Sequence, residues 1–393
     1  MAQRHSSNET SGVETIVTHS GRHPEQHWGY VNTPVYRGST ILFPTLDALE
    51  STEPRFDYGR TGNPSSATVE ECVTELEGAA GTVLAPSGLA AISLALLTVL
   101  GAGDEVLITD SAYQPTRRVS DTVLKRMGIG VRYFDPRIAG GLAAQLTERT
   151  RAIFVESPGS LTFELQDLPA IAALAQARDI AVIVDNSWAT PINYSPLALG
   201  ADIVVHAGTK MFVGHSDAMF GTASANEKWF AELKNTHLLL GLCASPDDCF
   251  LAARGLRTLA LRMREHGQRS VEMARWLEGQ EGVRRVIHPA LPSHPDHALF
   301  VRDFRGAGSV FSVLLEEKPR AALAAMVDGF ELFGMGWSWG GFESLALPVS
   351  PGRIRTAVPW SEPGPMLRLH IGFEAIDDLK RDLAAALQRF RAA

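Results

Sequence analysis

The chain has 393 residues, 45% of them hydrophobic and 20% charged, with a formal net charge of −8. That length predicts more than one compact core, and the acidic balance argues against nucleic acid, whose binders carry basic patches. No apolar run approaches the roughly 18 residues of a membrane span, and the first ten residues lack the apolar stretch of a signal peptide.

Residues 1–60 are polar and punctuated by Gly, Pro, Ser and Thr. They predict an extended arm tied to another surface such as a neighbouring subunit. From Thr68 the pattern alternates: a helix over 69–76, a short strand over 81–84, an apolar helix over 89–100, and strands over 105–109, 131–134 and 152–155. A helix over 168–178 leads into an apolar strand over 180–184, and another strand covers 203–205. This alternation predicts a mostly parallel sheet covered on both faces. Residues 226–275 read as long helices joining two domains. The chain then restarts with a strand over 309–315, a helix over 320–327 and a final helix over 375–391, with 349–365 as loop. The expected division is an arm over 1–60, a large domain over 61–255 and a C-terminal domain over 256–393. Cys72, Cys243 and Cys249 are odd in number and form no Cys-x-x-Cys pair, which predicts reduced thiols in a cytoplasmic protein.

The strand over 203–205 and the turn Gly208-Thr209 carry Lys210 to the mouth of the sheet, where ligands bind in open α/β folds. Burying an ammonium is costly unless its pKa falls. A desolvated lysine there suits Schiff-base chemistry with a carbonyl cofactor. Taken alone, Lys210 reads equally well as a strand-end lysine reaching solvent. Asp185 ends another apolar strand and needs a partner of its own. Pyridoxal 5'-phosphate answers both demands, because its pyridinium pairs with an Asp and its aldehyde takes a lysine.

Other segments extend that reading. Ser87-Gly88-Leu89 joins a strand to a helix, and the first amides of a helix suit a phosphate; an ordinary Ser-capped helix has the same signature. Nucleotide loops of the Walker or G-x-G-x-x-G kind are absent there. Tyr113 follows a strand and either stacks on a planar cofactor or covers the core. Arg60, in the loop Tyr58-Gly59-Arg60, has the fork that phosphate oxygens accept, although a solvated arginine reads the same. Alternation over 366–372 places Arg368 on one strand face, suited to a substrate carboxylate or to solvent. Trp337-Ser338-Trp339-Gly340-Gly341 is too aromatic and too flexible for an ordinary turn and hints at a pocket wall. His19, His23 and His27 recur every four residues, as zinc ligands on a helix do. Gly21 and Pro24 disfavour that helix, and no metal site is expected.

Together these segments resemble the Cys/Met-metabolism family of pyridoxal-phosphate enzymes over nearly the whole chain. Its marks stand as Tyr58-Gly59-Arg60, Ser87-Gly88, Asp185-Asn186, Thr209-Lys210 and Val213-Gly214-His215-Ser216-Asp217. Within the family, Glu156-Ser157-Pro158-Gly159-Ser160, the segment 337–345 and Leu367-Arg368-Leu369-His370-Ile371-Gly372 resemble the β-eliminating branch. The γ-acting members usually carry Asn-Pro after the Ser/Thr-Pro, where this chain has Gly159-Ser160.

The resemblance implies a fold-type I α/β architecture, with a mostly parallel sheet in the large domain and a smaller α/β C-terminal domain. It implies Lys210 as the lysine on the cofactor aldehyde and the catalytic proton carrier, with Asp185 on the pyridinium and Tyr113 stacked on the ring as a second catalytic residue. Gly88, Leu89 and Thr209 would hold the phosphate. Tyr58 and Arg60 would reach the phosphate of a neighbouring subunit, giving a homotetramer with shared sites. Ser338 and Arg368 would hold the carboxylate of an amino-acid substrate, and Trp339 would line the pocket. The implied activity is a carbon–sulfur β-lyase cleaving L-cystathionine or a related cysteine S-conjugate to a thiol such as homocysteine, pyruvate and ammonia. The alternatives are a γ-lyase or γ-synthase of cystathionine or methionine, or a non-catalytic ligand-binding scaffold. One departure is Ala207, where many relatives place a phosphate-binding serine; another is the loop 58–64, which has the general family form and does not favour the β-lyase branch.

Overall fold

Seven strands form the larger of two sheets in the computed structural model, which describes residues 11–51 and 55–393. They are β1 (Gly81–Ala85), β2 (Glu105–Thr109), β3 (Gly130–Phe134), β4 (Thr150–Glu156), β5 (Ala181–Asp185), β6 (Ile203–His206) and β7 (Gly221–Ala225). Their spatial order is β1-β7-β6-β5-β4-β2-β3. Pairings from β3 through β6 are parallel, and β7 runs antiparallel between β6 and β1. Side chains alternate across the sheet. Leu107, Ile153, Val155, Val182, Val184 and Val204 enter one core, with the helix Leu168–Gln176. Ile108, Phe154, Ile183, Ile203 and Val205 enter the other, under the helix Gly88–Val99. Burial on both faces is why these strands read as continuous apolar runs.

The smaller sheet contains β8 (Val283–Ile287), β9 (Val310–Leu315), β10 (Leu345–Val349) and β11 (Met366–His370), ordered β10-β11-β9-β8 and antiparallel throughout. Phe311, Val313, Leu367 and Leu369 pack with Met273 and Leu277 of the helix Leu259–Glu278, and with Leu379, Leu383 and Phe390 of the helix Ile376–Ala392. The opposite face sends Val310, Leu314 and Met366 into the core of the larger sheet. One side of β9 and β11 therefore looks toward the strand ends of the larger sheet.

Three strands escape the sequence patterns. β7 reads Gly-Thr-Ala-Ser-Ala, without the large β-branched residues that mark a strand. Its small residues are needed for close packing, since a Cβ on Gly221 would sit 2.4 Å from the Ser87 carbonyl oxygen. β8 carries two exposed arginines where alternation would need an apolar residue. β10 contains Pro348 and ends at Val349, which the sequence assigned to loop; as an edge strand it tolerates a missing donor.

Of the expected arm over 1–60, residues 1–10 and 52–54 lie outside the described residues, and the described part is extended only in part. Val13, Ile16 and Val17 fall at helical spacing, and Val13–His19 is helical, with Val17 buried in the cluster that holds Val69 and Val73. Arg257 Nη1 fixes this helix by donating to the carbonyls of Val17 and Ser20, each at 2.8 Å. Farther along, Trp28 is 89% and Leu42 88% exposed. Among the described residues no helix is long and apolar enough to cross a membrane.

A buried carboxylate ties the segment after β10 to the larger sheet. Asp110, just past β2, accepts the amides of Thr356, Ala357 and Val358. It also pairs with Arg117 at 2.7 Å and Arg355 at 3.0 Å. Burial alone would raise its pKa, but the amides of Val358, Thr356 and Ala357, together with Arg117, outweigh it and hold the carboxyl at about 2. The folded value lies below the unfolded one of about 3.9. The stabilisation is therefore complete above that value and fades as pH falls toward 2. Asp110→Ala takes from the buried Arg117 its carboxylate and leaves three amides without their acceptor, while Arg355 keeps Glu164 at 2.8 Å; urea unfolding at pH 7 is expected to show a loss of about 3–5 kcal/mol. A loss below about 1 kcal/mol would remove this contact from what holds the segment.

Candidate active site

Parallel strands deliver their carboxyl ends to one edge of the sheet, and there β4, β5 and β6 assemble the site. Glu156 and Asp185 are register partners at the ends of β4 and β5. Lys210 follows β6 through a tight turn in which its amide donates to the Ala207 carbonyl at 3.0 Å. Its own carbonyl accepts from the Gly214 amide at 2.8 Å. Gly208 makes the turn possible, because a Cβ there would lie 2.3 Å from the Phe220 ring. Asp185 is buried, with Oδ1 accepting from the Ser187 amide at 2.9 Å. Among the described residues its carboxylate has no other hydrogen bond, which leaves an acceptor beside the cavity it lines.

That cavity measures about 470 Å³, within the range of small-molecule sites. Gly88, Leu89, Asp185, Thr209 and Lys210 line it from the larger sheet, Tyr113 from the loop after β2, and Ser338, Trp339 and Arg368 from the C-terminal part. At one end is the start of the helix Gly88–Val99. Ser87 Oγ accepts the Ala90 amide at 3.1 Å, while the Gly88 and Leu89 amides have no acceptor among the described residues. Free amides at a helix start favour an anion. Gly88 admits no side chain, since its Cβ would approach that of Ala207 to 2.6 Å. The Thr209 hydroxyl is already engaged, donating to the Phe220 carbonyl at 3.2 Å and accepting its amide at 3.1 Å. Ser187 Oγ accepts the Ala207 amide at 2.7 Å and keeps its proton to donate.

The ammonium of Lys210 sits between two aromatic walls, 5.8 Å from the centre of the Tyr113 ring and 5.1 Å from that of Trp339. Burial lowers its pKa, Asp185 and Glu156 offset part of that, and Arg368 adds to it. Such an amine is a better nucleophile at neutral pH than a solvated one. Burial, then Asp185, pushes the Glu156 carboxyl well up, against the Tyr113 amide that donates to it at 2.7 Å. Burial also raises the Tyr113 phenol, with Glu156 and Asp185 contributing.

Arg368 projects from β11 toward this edge. Its Nη2 donates to the Ser338 carbonyl at 2.8 Å, while its buried Nε has no partner. Burial lowers its pKa only to about 10, so it stays charged at neutral pH. A buried donor without an acceptor, on a charged fork, is suited to a carboxylate. The Gly88 and Leu89 amides, the Asp185 oxygen and the desolvated Lys210 amine likewise match the phosphate, ring nitrogen and aldehyde of pyridoxal phosphate. The residues present fit that cofactor.

Tyr58 and Arg60 are not brought to this cavity. Arg60 Nη1 donates to the Leu238 carbonyl at 2.8 Å, and Tyr58 bridges to Thr40. The spaced histidines do not converge either: His23 contacts Glu71 at 2.7 Å and His27 contacts Tyr36 at 3.0 Å. Glu156 and Ser187 line the cavity but were not singled out as site residues by the sequence. Glu156 carries the same signal as Asp185, a carboxylate closing an apolar strand; Ser187 carries none, since its role depends on where the chain turns after β5.

Known proteins share both the sequence and the fold. The pattern of the family described as Cys/Met metabolism PLP-dependent enzyme matches residues 14–388. A cystathionine beta-lyase of Bordetella avium is 41% identical over 389 residues, 96% of this chain and 98% of that one. An L-alanine/L-glutamate racemase of Wolbachia pipientis is 37% identical over 392 residues, 96% of this chain and 97% of that one. Among solved structures, a cystathionine gamma synthase from Xanthomonas oryzae pv. oryzae, in complex with aminoacrylate and cysteine, superposes with a TM-score of 0.91 at 33% identity, covering 98% of this chain and all of that one. The chain belongs to the Cys/Met metabolism family of pyridoxal-phosphate-dependent enzymes.

Proposed function

We propose that the protein is a carbon–sulfur β-lyase that uses water to cleave L-cystathionine, or a related cysteine S-conjugate, to a thiol such as homocysteine, pyruvate and ammonia. The observation that carries this reading is one cavity shared by Lys210, Asp185 and the charged Arg368. The activity named for the Bordetella relative supports the substrate. The likeness to a γ-synthase supports the alternative of a γ-lyase or γ-synthase. A scaffold without activity would have no use for a desolvated lysine beside a buried carboxylate.

Bound at Lys210, pyridoxal phosphate supplies an electron sink for a negative charge developing at Cα. Asp185 keeps the ring nitrogen protonated through its unpaired oxygen. The amides of Gly88 and Leu89 hold the phosphate; Thr209 joins them only by giving up a contact to Phe220. Arg368, held at the Ser338 carbonyl through Nη2, would take the substrate carboxylate with its charged guanidinium and so orient the Cα–H bond toward Lys210. Lys210 Nζ, buried beside Asp185, would take the Cα proton, and the charge left there would expel the β-thiolate. Tyr113 and Trp339 exclude water from the two sides of the amine.

Tyr58 and Arg60 are assigned to the phosphate of a neighbouring subunit, in a homotetramer with shared sites. Their position outside their own chain's cavity and the exposed apolar residues of the arm support that assignment. The proposed compartment is the cytoplasm, supported by three free cysteines.

Incubation of the cofactor-loaded protein with L-cystathionine is expected to release pyruvate and homocysteine in equal amounts. Dominant 2-oxobutyrate would move the enzyme to the γ-acting branch, and racemised amino acid without keto acid would move it toward the racemases. Arg368→Ala removes one partner of a desolvated charge pair, a loss of about 2–5 kcal/mol. Catalytic efficiency should fall roughly 30-fold to several thousand-fold at about 1.4 kcal/mol per decade, with an unchanged cofactor spectrum. Normal efficiency would take the carboxylate away from Arg368. Mixing inactive Arg60→Ala and Lys210→Ala chains is expected to restore part of the activity, since hybrid assemblies contain one undamaged site. Verified hybrids without activity would return Arg60 to its own subunit.

A further inference from the structure

On β11, Arg368 and His370 stand two positions apart and therefore share a strand face. It is the face that sends Met366 into the larger sheet's core. Both residues reach the segment 337–341. Arg368 holds it at the Ser338 carbonyl, 2.8 Å away. His370 is fully buried, with Nδ1 2.7 Å from Ser309 Oγ and Nε2 3.1 Å from the Gly341 carbonyl oxygen. The Gly340 amide also points at Nε2, at 3.3 Å. The neutral ring has two ways to use these partners. Nε2–H donates to Gly341 while the Ser309 hydroxyl donates to Nδ1, or Nδ1–H donates to Ser309 while Nε2 accepts the Gly340 amide. Either tautomer holds a backbone group of the segment. Burial lowers the ring's pKa to about 4, so it is neutral at pH 7.

The segment needs such a hold. Ser338 has φ of +70°, in the left-handed region that non-glycine residues avoid unless their surroundings impose it. Gly340, with φ of +93°, rests on the catalytic turn itself: a Cβ there would lie 3.0 Å from the Cβ of Lys210 and 3.1 Å from its Cα. Trp337 is 81% exposed and contributes little anchoring. The two ends of the strained stretch are thus held by two side chains of one strand. One of them, Arg368, is also assigned to the substrate. The other touches neither the cavity nor any group in it.

We propose that His370 is a positioning residue for the reaction, clamping the segment 337–341 against Lys210 so that Ser338 and Trp339 form the amino-acid side of the cavity. The proposal rests on the reading that this cavity takes an amino acid beside the cofactor. Without the imidazole, Gly340 and Gly341 lose their only side-chain partner among the described residues, and the left-handed turn at Ser338 is free to relax away from the lysine.

The test uses the cofactor-loaded protein and the variants His370→Ala and His370→Asn. Three quantities are measured: KM and kcat for L-cystathionine, the dissociation constant of glycine from the cofactor absorbance, and the rate of chymotryptic cleavage after Trp337 and Trp339. His370→Ala is expected to raise KM and the glycine constant at least tenfold, to change kcat less than threefold, and to speed cleavage at least tenfold. Its cofactor affinity and resting spectrum should match the wild type. His370→Asn keeps an amide that can face Gly341 and should recover at least a third of each loss. Wild-type glycine affinity and cleavage rate in His370→Ala would overturn the proposal. So would equal defects in both variants accompanied by weakened cofactor binding, which would mark general disruption. Should His370→Ala not fold, Ser309→Ala removes the partner on the other ring nitrogen and is expected to shift the same quantities by a smaller factor; no shift overturns the clamp. Glycine binding and proteolysis need no turnover. A protein that cleaves no cystathionine would therefore overturn the lyase reading, while these two measurements still decide the role of His370.

Discussion

An amine kept from water at the edge of a parallel sheet is the constraint on which the rest of this structure depends. Lys210 is placed there by backbone alone, through a glycine-bearing turn locked between Ala207 and Gly214. Desolvation works against its charge, and the neighbours answer it unequally: Asp185 and Glu156 stabilise the ammonium, Arg368 opposes it. The strand order makes this possible, because β4, β5 and β6 are parallel neighbours and bring three polar ends to one place. A sheet with one of these strands reversed would scatter the same residues to opposite edges. The carboxylate pair shows the same economy. Burial, then Asp185, pushes the Glu156 carboxyl well up, and the Tyr113 amide and Lys210 oppose them.

The second sheet closes the site from the other side, and the way it is attached matters as much as its contents. β9 and β11 give alternate residues to two cores. Phe311, Val313, Leu367 and Leu369 bind their own helices, whereas Val310, Leu314 and Met366 complete the core of the larger sheet. Arg368 and His370 belong to the second set by strand alternation. Asp110 adds a polar tie close to Tyr113, joining the loop after β2 to the segment after β10.

Lys210 and Asp185 were legible because each follows a run of β-branched residues that has only one structural use. The helix Gly88–Val99 was legible from its Ser-Gly start. What escaped did so for physical reasons. β7 is built of small residues whose function is to admit a neighbour's backbone, so it lacks the size and branching that mark a strand. β10 holds a proline that only an edge position tolerates, and sequence does not say which strand is an edge. The helix Val13–His19 was visible in the spacing of Val13, Ile16 and Val17 but was outweighed by the polar residues around it. The cavity role of Ser187 and the clamp at His370 are set by how the chain folds back on itself, which no local pattern encodes.

The shared core between the two sheets limits how the enzyme can breathe. Swinging the smaller sheet away from the larger would uncover Val310, Leu314 and Met366 together with Phe300 and Phe304. Each such side chain is worth about 1.5–3 kcal/mol when buried, so five of them weigh heavily against a clamshell motion. Traffic in and out of the cavity is therefore left to its rim. The rim carries the exposed rings of Tyr113 and Trp337, while Trp339 beside them packs against two apolar cores. A substrate entering here meets walls that are already in place, with the exposed ring of Trp337 as the loosest part of the entrance.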